Sequence, residues 1–422
     1  MLRFCFYGAV FGLLGLCLTP KGHAWTFDQA KAQLLENNPE IKIQEAIAQV
    51  APIRLKIAKA NQYPFIQLRG GTRRFLQENE RTGFRTFIGP RLTMPIYRGG
   101  YLKAQTRLAE QRLGSNARQG QTLQDQKITQ LQKLFANAIY AKHEYQMAQN
   151  NKKRAAQNVR LVDLRYQSGM EYRWVLKSAQ KSLEIQRLGL MEAQIRQDRI
   201  LTDMERIMGE LPIKSLNEIN EEGFYPSPVS TQNIDLDQAL EAHPEVLEQQ
   251  DLSFQKEINY ISAKAKRLPN VIFNTDFVLF NTDDETNTQP FIIPFWSAEI
   301  GLSMPIYAFG KYKLTQKLAE IERRKQALSS QNTQKNLKLQ LKERIQNYEL
   351  NQQRAEIAKL DLEAAKDRSK VTTELYQNGL TTFSAWDRAE RELDRTEKQI
   401  LVRKRDWMLS HINLMELIGR HD

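Results

Sequence analysis

Few residues in this 422-residue chain stand at spacings that could make or break a covalent bond. The five histidines, His23, His143, His243, His411 and His421, are scattered, and none has a second ligand four residues along a helix face. No phosphate-cradling glycine loop occurs; Gly99-Gly100 reads as the cap of a strand-to-helix corner. Acidic pairs such as Glu390 and Asp394 sit beside Arg391 and Arg395, the pattern of surface ion pairing rather than of a general acid and base. Trp386 and Trp407 continue an apolar helix face with Leu393, Ile400 and Leu414, which marks core and not a cofactor box. The expectation is a protein that is not an enzyme and has no metal, cofactor or catalytic residue.

The two cysteines support this. Cys5 and Cys17 both lie in 1–24, which reads as a secretory signal peptide: Arg3 supplies a positive start, 4–18 an apolar stretch, and Gly22-His23-Ala24 a small-residue cleavage site. A lipoprotein role for Cys17 is disfavoured because Leu16 is bulky where a small residue is wanted. The mature chain would begin at Trp25 without thiols, disulfides or thiolate metal sites. Beyond Ala24 there is no run of about 18 apolar residues, so a membrane could be crossed only by strands. Mean hydropathy is -0.57. The net charge of +12, from 61 Lys and Arg against 49 Asp and Glu, falls by two once Arg3 and Lys21 leave. Those charges are interleaved along helices, the pattern of solvated faces, and an exported chain is not expected to meet nucleic acid.

Organisation comes from an internal repeat. Asn38-Pro39-Glu40 returns as His243-Pro244-Glu245, and Ala58, Ala60 and Pro64 as Ala263, Ala265 and Pro269, at an offset of 205. Past a loop of different length the offset becomes 210. Met94-Pro95-Ile96-Tyr97 then returns from Met304, Leu108-Ala109-Glu110 from Leu318, and Tyr166-Gln167-Ser168-Gly169 as Tyr376-Gln377-Asn378-Gly379. Ala179, Leu183 and Gly209 keep their partners in Ala389, Leu393 and Gly419. Each copy reads helix, strand, loop, strand, long helix, turn, helix. The expected units are 25–211, with its β-hairpin at 65–97, and 235–422, with its β-hairpin at 271–307, joined by an irregular connector at 212–234.

In the first copy 27–61 is helical in pattern and ends before Pro64; 65–76 and 84–97 alternate as strands around a polar loop, 77–83. In the second the helix is 236–267, the strands 271–280 and 291–307, and the loop 281–289. Long helices are expected over 101–167 and 311–377, each spanning about 100 Å at 1.5 Å per residue. Each would pack antiparallel to a strut made of its copy's two shorter helices. Along the strands Trp296, Ala298, Ile300 and Leu302 share one face, with Ser297, Glu299 and Ser303 on the other. Arg69, Arg73, Arg85 and Arg91 fall on one parity, and Ile66, Leu68, Ile88 and Leu92 on the other. Such alternation fits a wall between lipid and water, and also a half-buried soluble sheet. Four strands cannot close a barrel, so a membrane-spanning sheet requires several protomers to share one.

On the duplicated Met-Pro-Ile-Tyr motifs and the paired Tyr-x-x-Gly turns, the sequence resembles the TolC-like outer-membrane efflux protein family over 27–419. That resemblance implies a fold that is mainly α with membrane β: a homotrimer with one shared twelve-stranded barrel, a long α-helical periplasmic tunnel, and an equatorial belt including 212–234. It implies the outer-membrane component of a tripartite efflux or type I secretion system, a passive duct. The implied partners are a periplasmic adaptor (membrane-fusion) protein, an inner-membrane pump and outer-membrane lipid. Tyr166, Gly169, Met170, Tyr376, Gly379, Leu380 and Thr381 would form the periplasmic tips and adaptor contacts. Pro95, Tyr97, Gly100, Pro305, Tyr307 and Gly310 would make the strand-to-helix corners. The family's acidic constriction falls here on Ala385 and Arg388, beside Asp387, and its tip latch on Thr381 and Val175. Arg173, Asp387 and Arg388 are thus the tunnel-entrance candidates, and Arg165, Arg173 and Arg388 suggest a more basic mouth. The competing reading is a periplasmic coiled-coil adaptor or scaffold; two helical hairpins, each preceded by paired strands, favour the duct.

Overall fold

A computed structural model describes residues 25–76, 82–222, 224–226, 236–283 and 292–419. The expected signal peptide with both cysteines lies outside them, as do 77–81 and 284–289 of the two strand loops and 223 and 227–234 of the connector.

Two helices of 67 residues, α3 (Tyr101–Gln167) and α7 (Lys311–Gln377), run unbroken over the expected spans. Neither contains proline, and each starts from a left-handed glycine, Gly100 or Gly310. Each turns back into a 36-residue helix, α4 (Arg173–Met208) and α8 (Phe383–Ile418). The other half of each long helix packs against a shorter pair. These are α1 (Phe27–Asn37) and α2 (Pro39–Ala60) in the first copy, and α5 (Leu236–Glu241) and α6 (Pro244–Ala265) in the second.

The single helices expected over 27–61 and 236–267 are therefore each two. Pro39 and Pro244 open new helices, because proline suits a first turn, where its missing N–H is not needed, and disfavours helical backbone at the residue before it; Pro52 alone is carried inside α2. Asn38 Oδ1 accepts the amides of Glu40 (2.9 Å) and Ile41 (3.1 Å), and His243 Nδ1 accepts that of Glu245 (3.2 Å). The repeat thus preserves a helix cap built from different side chains.

The four strands form one antiparallel sheet in sequence order: β1 (Phe65–Leu76), β2 (Thr82–Arg98), β3 (Asn270–Asp283) and β4 (Ile292–Ser303). β2 begins at Thr82, inside the expected loop, and β2 and β3 each gain one residue at the helix-proximal end; two strand ends differ from expectation by three residues or more. β3 extends to Asp283, into the expected loop. β4 stops at Ser303, leaving Met304 to Tyr307 outside the sheet although their copies, Met94 to Tyr97, lie inside it. The reason is position. β2 is flanked on both sides, so Met94 and Pro95 stand opposite Phe273 and Ile272; β4 is an edge.

The largest core lies where the shorter helices meet beside α3. Phe135 is ringed by Trp25, Phe27 and Phe224 at centroid distances of 5.4 to 5.7 Å, over Leu34, Met204 and Met208. The described part of the connector wraps this level. Trp25 donates its amide to Glu218 (2.7 Å) and accepts from Asn220 (2.9 Å), while Leu216 and Ile219 bury beneath. Emptying Phe135 would cost about 3–5 kcal/mol by the lost transfer and cavity terms.

Candidate functional site

The two helical turns farthest from the sheet are built alike. Gly169 and Gly379 hold φ of +75° and +74°. Met170 and Gly169 donate to the carbonyls of Arg165 (2.8 Å) and Tyr166 (3.0 Å); Leu380 and Gly379 donate to those of Leu375 (2.8 Å) and Tyr376 (3.1 Å). This paired closure satisfies helix-end carbonyls and requires a left-handed residue, which glycine supplies at little steric cost.

Side chains then make the turns unequal. Tyr166 is 38 % exposed, whereas its copy Tyr376 is fully buried, stacked on Trp386 with ring centroids 4.5 Å apart. The Tyr376 hydroxyl donates to Glu171 Oε1 (2.8 Å), and burial together with that carboxylate pushes its pKa well up. Arg165 closes the clasp: Nη1 donates to the Tyr376 carbonyl (2.9 Å), the guanidinium lies 4.8 Å from the Tyr376 ring centre, and Nε is 3.7 Å from Glu171. The first turn thus contributes both charges and the second the ring they enclose. Among the tip candidates Tyr376 is buried within the chain, Thr381 is half-buried, and Tyr166, Gly169, Met170, Gly379 and Leu380 are exposed. Met170 (66 %) and Leu380 (72 %) extend an apolar surface over Tyr172 and Trp174.

The entrance candidates separate. Arg173 and Arg388 are exposed. Asp387 is half-buried and pairs with Arg391 at 2.6 Å, one helical turn along. Burial raises the Asp387 carboxyl above its usual range, and Glu390 adds to this against Arg391. Deeper between α3 and α8, Arg154 donates to Asp394 (2.5 Å) and Glu397 (2.9 Å), while Asn158 and Ser369 donate to Glu390. Burial also raises Asp394, against the pull of Arg154. This network ties the α3–α4 and α7–α8 hairpins together through polar contacts, with no metal-binding cluster among the described residues.

At the other end, the two faces of the sheet separate by chemistry. Ile66, Leu68, Trp296, Ile300 and Leu302 are exposed on one face. The other carries Asp276, held by Arg91 through Nε (2.5 Å) and Nη2 (2.7 Å) and by Arg69 (2.8 Å), with Thr93 donating to Asn274 beside it (3.0 Å). Arg69, Arg91 and Asp276 come from three successive strands, so one ion cluster fixes their register. Among the corner candidates, Pro95 is buried and Tyr97 stands opposite Val271, while Gly100 and Gly310 cap the long helices with φ of +83° and +76°. Pro305 is half-buried, and Tyr307 is exposed against Phe309, ring centroids 4.9 Å apart.

Spacing did not reveal the clasp partners Glu171 and Trp386, the Phe383 ring 6.2 Å from that of Tyr376, or the exposed Tyr172 and Trp174. The available signal was the aromatic clustering on both sides of the turns: Tyr172 and Trp174 after one, Phe383 and Trp386 after the other.

A family model described as outer membrane efflux protein matches residues 31–210 and 236–420. No curated protein matches the chain. Among solved structures, CusC aligns with a TM-score of 0.82 at 16 % identity, over 93 % of this chain and 92 % of that one. The CmeC outer membrane channel of Campylobacter jejuni aligns with a TM-score of 0.79 at 15 % identity, over 93 % and 85 %. The outer membrane protein VceC of Vibrio cholerae aligns with 0.79 at 12 %, over 93 % and 96 %. At these identities the structural likeness speaks to the fold.

Proposed function

The chain belongs to the outer membrane efflux protein family, and from that premise we propose that three copies close one twelve-stranded barrel in the outer membrane and continue it as a helical tunnel through the periplasm. As a member of that family it is an outer-membrane channel protein and not an enzyme. Cargo would pass without a chemical step, as the outer component of a tripartite efflux or type I secretion assembly with a periplasmic adaptor protein and an inner-membrane pump.

The observation that carries this reading is the open sheet. β1 and β4 are both edges, and the sheet exposes an apolar face including Ile66, Leu68, Trp296, Ile300 and Leu302. In water that face is an aggregation hazard, and in lipid the unpaired edges are excluded. Joining β4 of one copy to β1 of the next removes both edges and places the apolar face toward lipid. Asp276, Arg69 and Arg91 then line the interior. The repeats 25–211 and 235–422 supply one β-hairpin each, and the connector, of which 212–222 and 224–226 are described, forms part of the belt around Phe135.

At the far end the exposed Met170, Leu380, Tyr166, Tyr172 and Trp174 are the surface proposed for the adaptor. The Arg165–Glu171–Tyr376 clasp holds the two hairpin tips of one protomer together. Arg173 and Arg388, the exposed charges beside it, give the mouth its basic character, while Asp387 is occupied by Arg391. Electron microscopy of the detergent-purified protein tests the assembly. Three-fold tubes with a stem of about 100 Å are expected, and folded monomers with free hairpins would overturn it.

A further inference from the structure

Four segments meet where the sheet becomes helix: the end of α2, the start of α3, the end of α6 and the start of α7. Gly99 packs so closely on Ala265 that a Cβ would lie 2.8 Å from its carbonyl oxygen; Gln62 donates to Thr106 (2.6 Å) and Arg267 to Gln316 (3.0 Å). Residues 51–64, 98–109, 260–270 and 303–319 each carry three Lys or Arg and no Asp or Glu. Their twelve cations equal the net excess of the whole chain, +12, although 49 acidic residues are spread through the rest of it. Among the described residues only Lys59 of this set has an ion pair, with Glu110 at 3.6 Å.

The internal repeat keeps this charge. Lys59 and Lys264, Lys103 and Lys313, and Arg107 and Lys317 are copies of one another, and all six are exposed. Aromatic rings stand at the same level. Phe309, the copy of left-handed Gly99, keeps a positive φ of 48° while 88 % exposed, and its ring lies against exposed Tyr307. A bulky residue in that conformation costs about 1–2 kcal/mol, and nothing within the described chain covers it. The apolar face of the sheet begins immediately beside this level with Ile66, Leu68 and Leu302.

We infer that this junction is a lipid-headgroup collar that binds anionic phospholipid in the leaflet facing the helical stem. Lysines and arginines contact the phosphates, and Tyr307 and Phe309 enter the headgroup layer. The inference rests on the barrel reading above, because only an embedded sheet holds the collar against a bilayer surface.

The test uses the full-length protein reconstituted in phosphatidylethanolamine vesicles with or without phosphatidylglycerol. Native mass spectrometry then counts the lipids retained after mild detergent extraction. Wild-type protein is expected to enrich phosphatidylglycerol over the vesicle composition. Lys264→Gln/Lys266→Gln/Arg267→Gln and, independently, Lys311→Gln/Lys313→Gln should each lose that preference, by roughly fivefold per cation removed. Lys152→Gln/Lys153→Gln, on the stem, should not. Insertion with retained lipid that mirrors the vesicle composition would overturn the collar and leave the channel reading standing. Failure to insert into either vesicle would overturn both. Loss of oligomer with the lipid preference intact would assign the cations to contacts between copies and overturn the collar.

Discussion

Removing one hydroxyl at the tip should loosen it by an amount that follows from its contacts. In Tyr376→Phe the ring keeps its stack on Trp386 and the guanidinium of Arg165 above it, but Glu171 loses a donor at 2.8 Å. The Glu171 side chain is largely buried, so water cannot replace that donor freely. A hydrogen bond to a charged partner contributes about 1.5–3 kcal/mol. About 2 kcal/mol lost corresponds to roughly a thirtyfold larger population of the parted tip. Arg165→Ala should cost more, since it also strips a donor from the Tyr376 carbonyl and leaves Glu171 without its counter-charge. The three residues share partners, so the double variant should fall short of the sum of the single effects.

Hydrogen exchange across 370–390 in the detergent-solubilised protein reads the local opening, and single-channel conductance reads its consequence for the tunnel. Tyr166→Phe is the internal control: the same residue of the other copy, already 38 % exposed and outside the clasp. Exchange in Tyr376→Phe within about twofold of wild type, or an equal effect of Tyr166→Phe, would refute the clasp.

His243 offers a pH test. Burial keeps its ring below the ordinary histidine pKa, against the pull of Glu245 and Glu416. The stabilisation from its cap on α6 is therefore complete above about pH 6.5 and is lost as pH falls through the lower folded value. Protection at 236–250, measured relative to the Asn38-capped equivalent at 31–45, should drop about fivefold, or about 1 kcal/mol, between neutral and acid pH. His243→Asn should abolish the drop, and a drop that persists would sink the assignment. In the sheet, Gly89→Ala would set a Cβ 1.9 Å from the Phe277 carbonyl oxygen, whereas at Gly70 the nearest atom is 3.4 Å away. The first variant should fail to accumulate in outer membranes while Gly70→Ala accumulates; equal yields would contradict the register. Arg388→Asp should raise cation preference in single-channel recordings, and no change would remove Arg388 from the pore.

Much of the frame was legible because duplication tests itself. An offset of 210 that survives from Met94 to Gly209 permits no insertion, and α3 and α7 lie where that register places them. Strand parity likewise separated Ile66 and Leu68 from Arg69 and Arg91. What escaped was whatever depends on a neighbour. The end of β4 differs from that of β2 because one strand is an edge, a fact of topology that identical Met-Pro-Ile-Tyr motifs cannot carry. The clasp escaped for a related reason. Arg165 and Glu171 straddle one turn and Tyr376 stands at the other, so only the folded hairpin pair brings them together. The helix breaks at Asn38 and His243 were written in the prolines that follow, but helical periodicity continues across them.

The two copies share a backbone and divide the work of side chains. Where both must do the same mechanical job, the residue type is held: glycine at positive φ in both tips, proline after both helix caps, cations at both junctions. Where the copies face each other across one protomer, identity gives way to complementarity. Arg165 stands against Leu375, Glu171 against Thr381, and exposed Tyr166 against buried Tyr376 in the repeat. With Leu375 and Thr381 in those places the second turn carries neither charge, and Arg165 and Glu171 close on one ring, Tyr376. The same logic reaches the junction. Gly99 is packed under Ala265 within the chain, while its copy Phe309 stands outward at a positive φ that only glycine adopts without strain. One copy packs its corner against Ala265; the other leaves an aromatic ring exposed. The two helical hairpins of the chain therefore make unequal contacts at both ends.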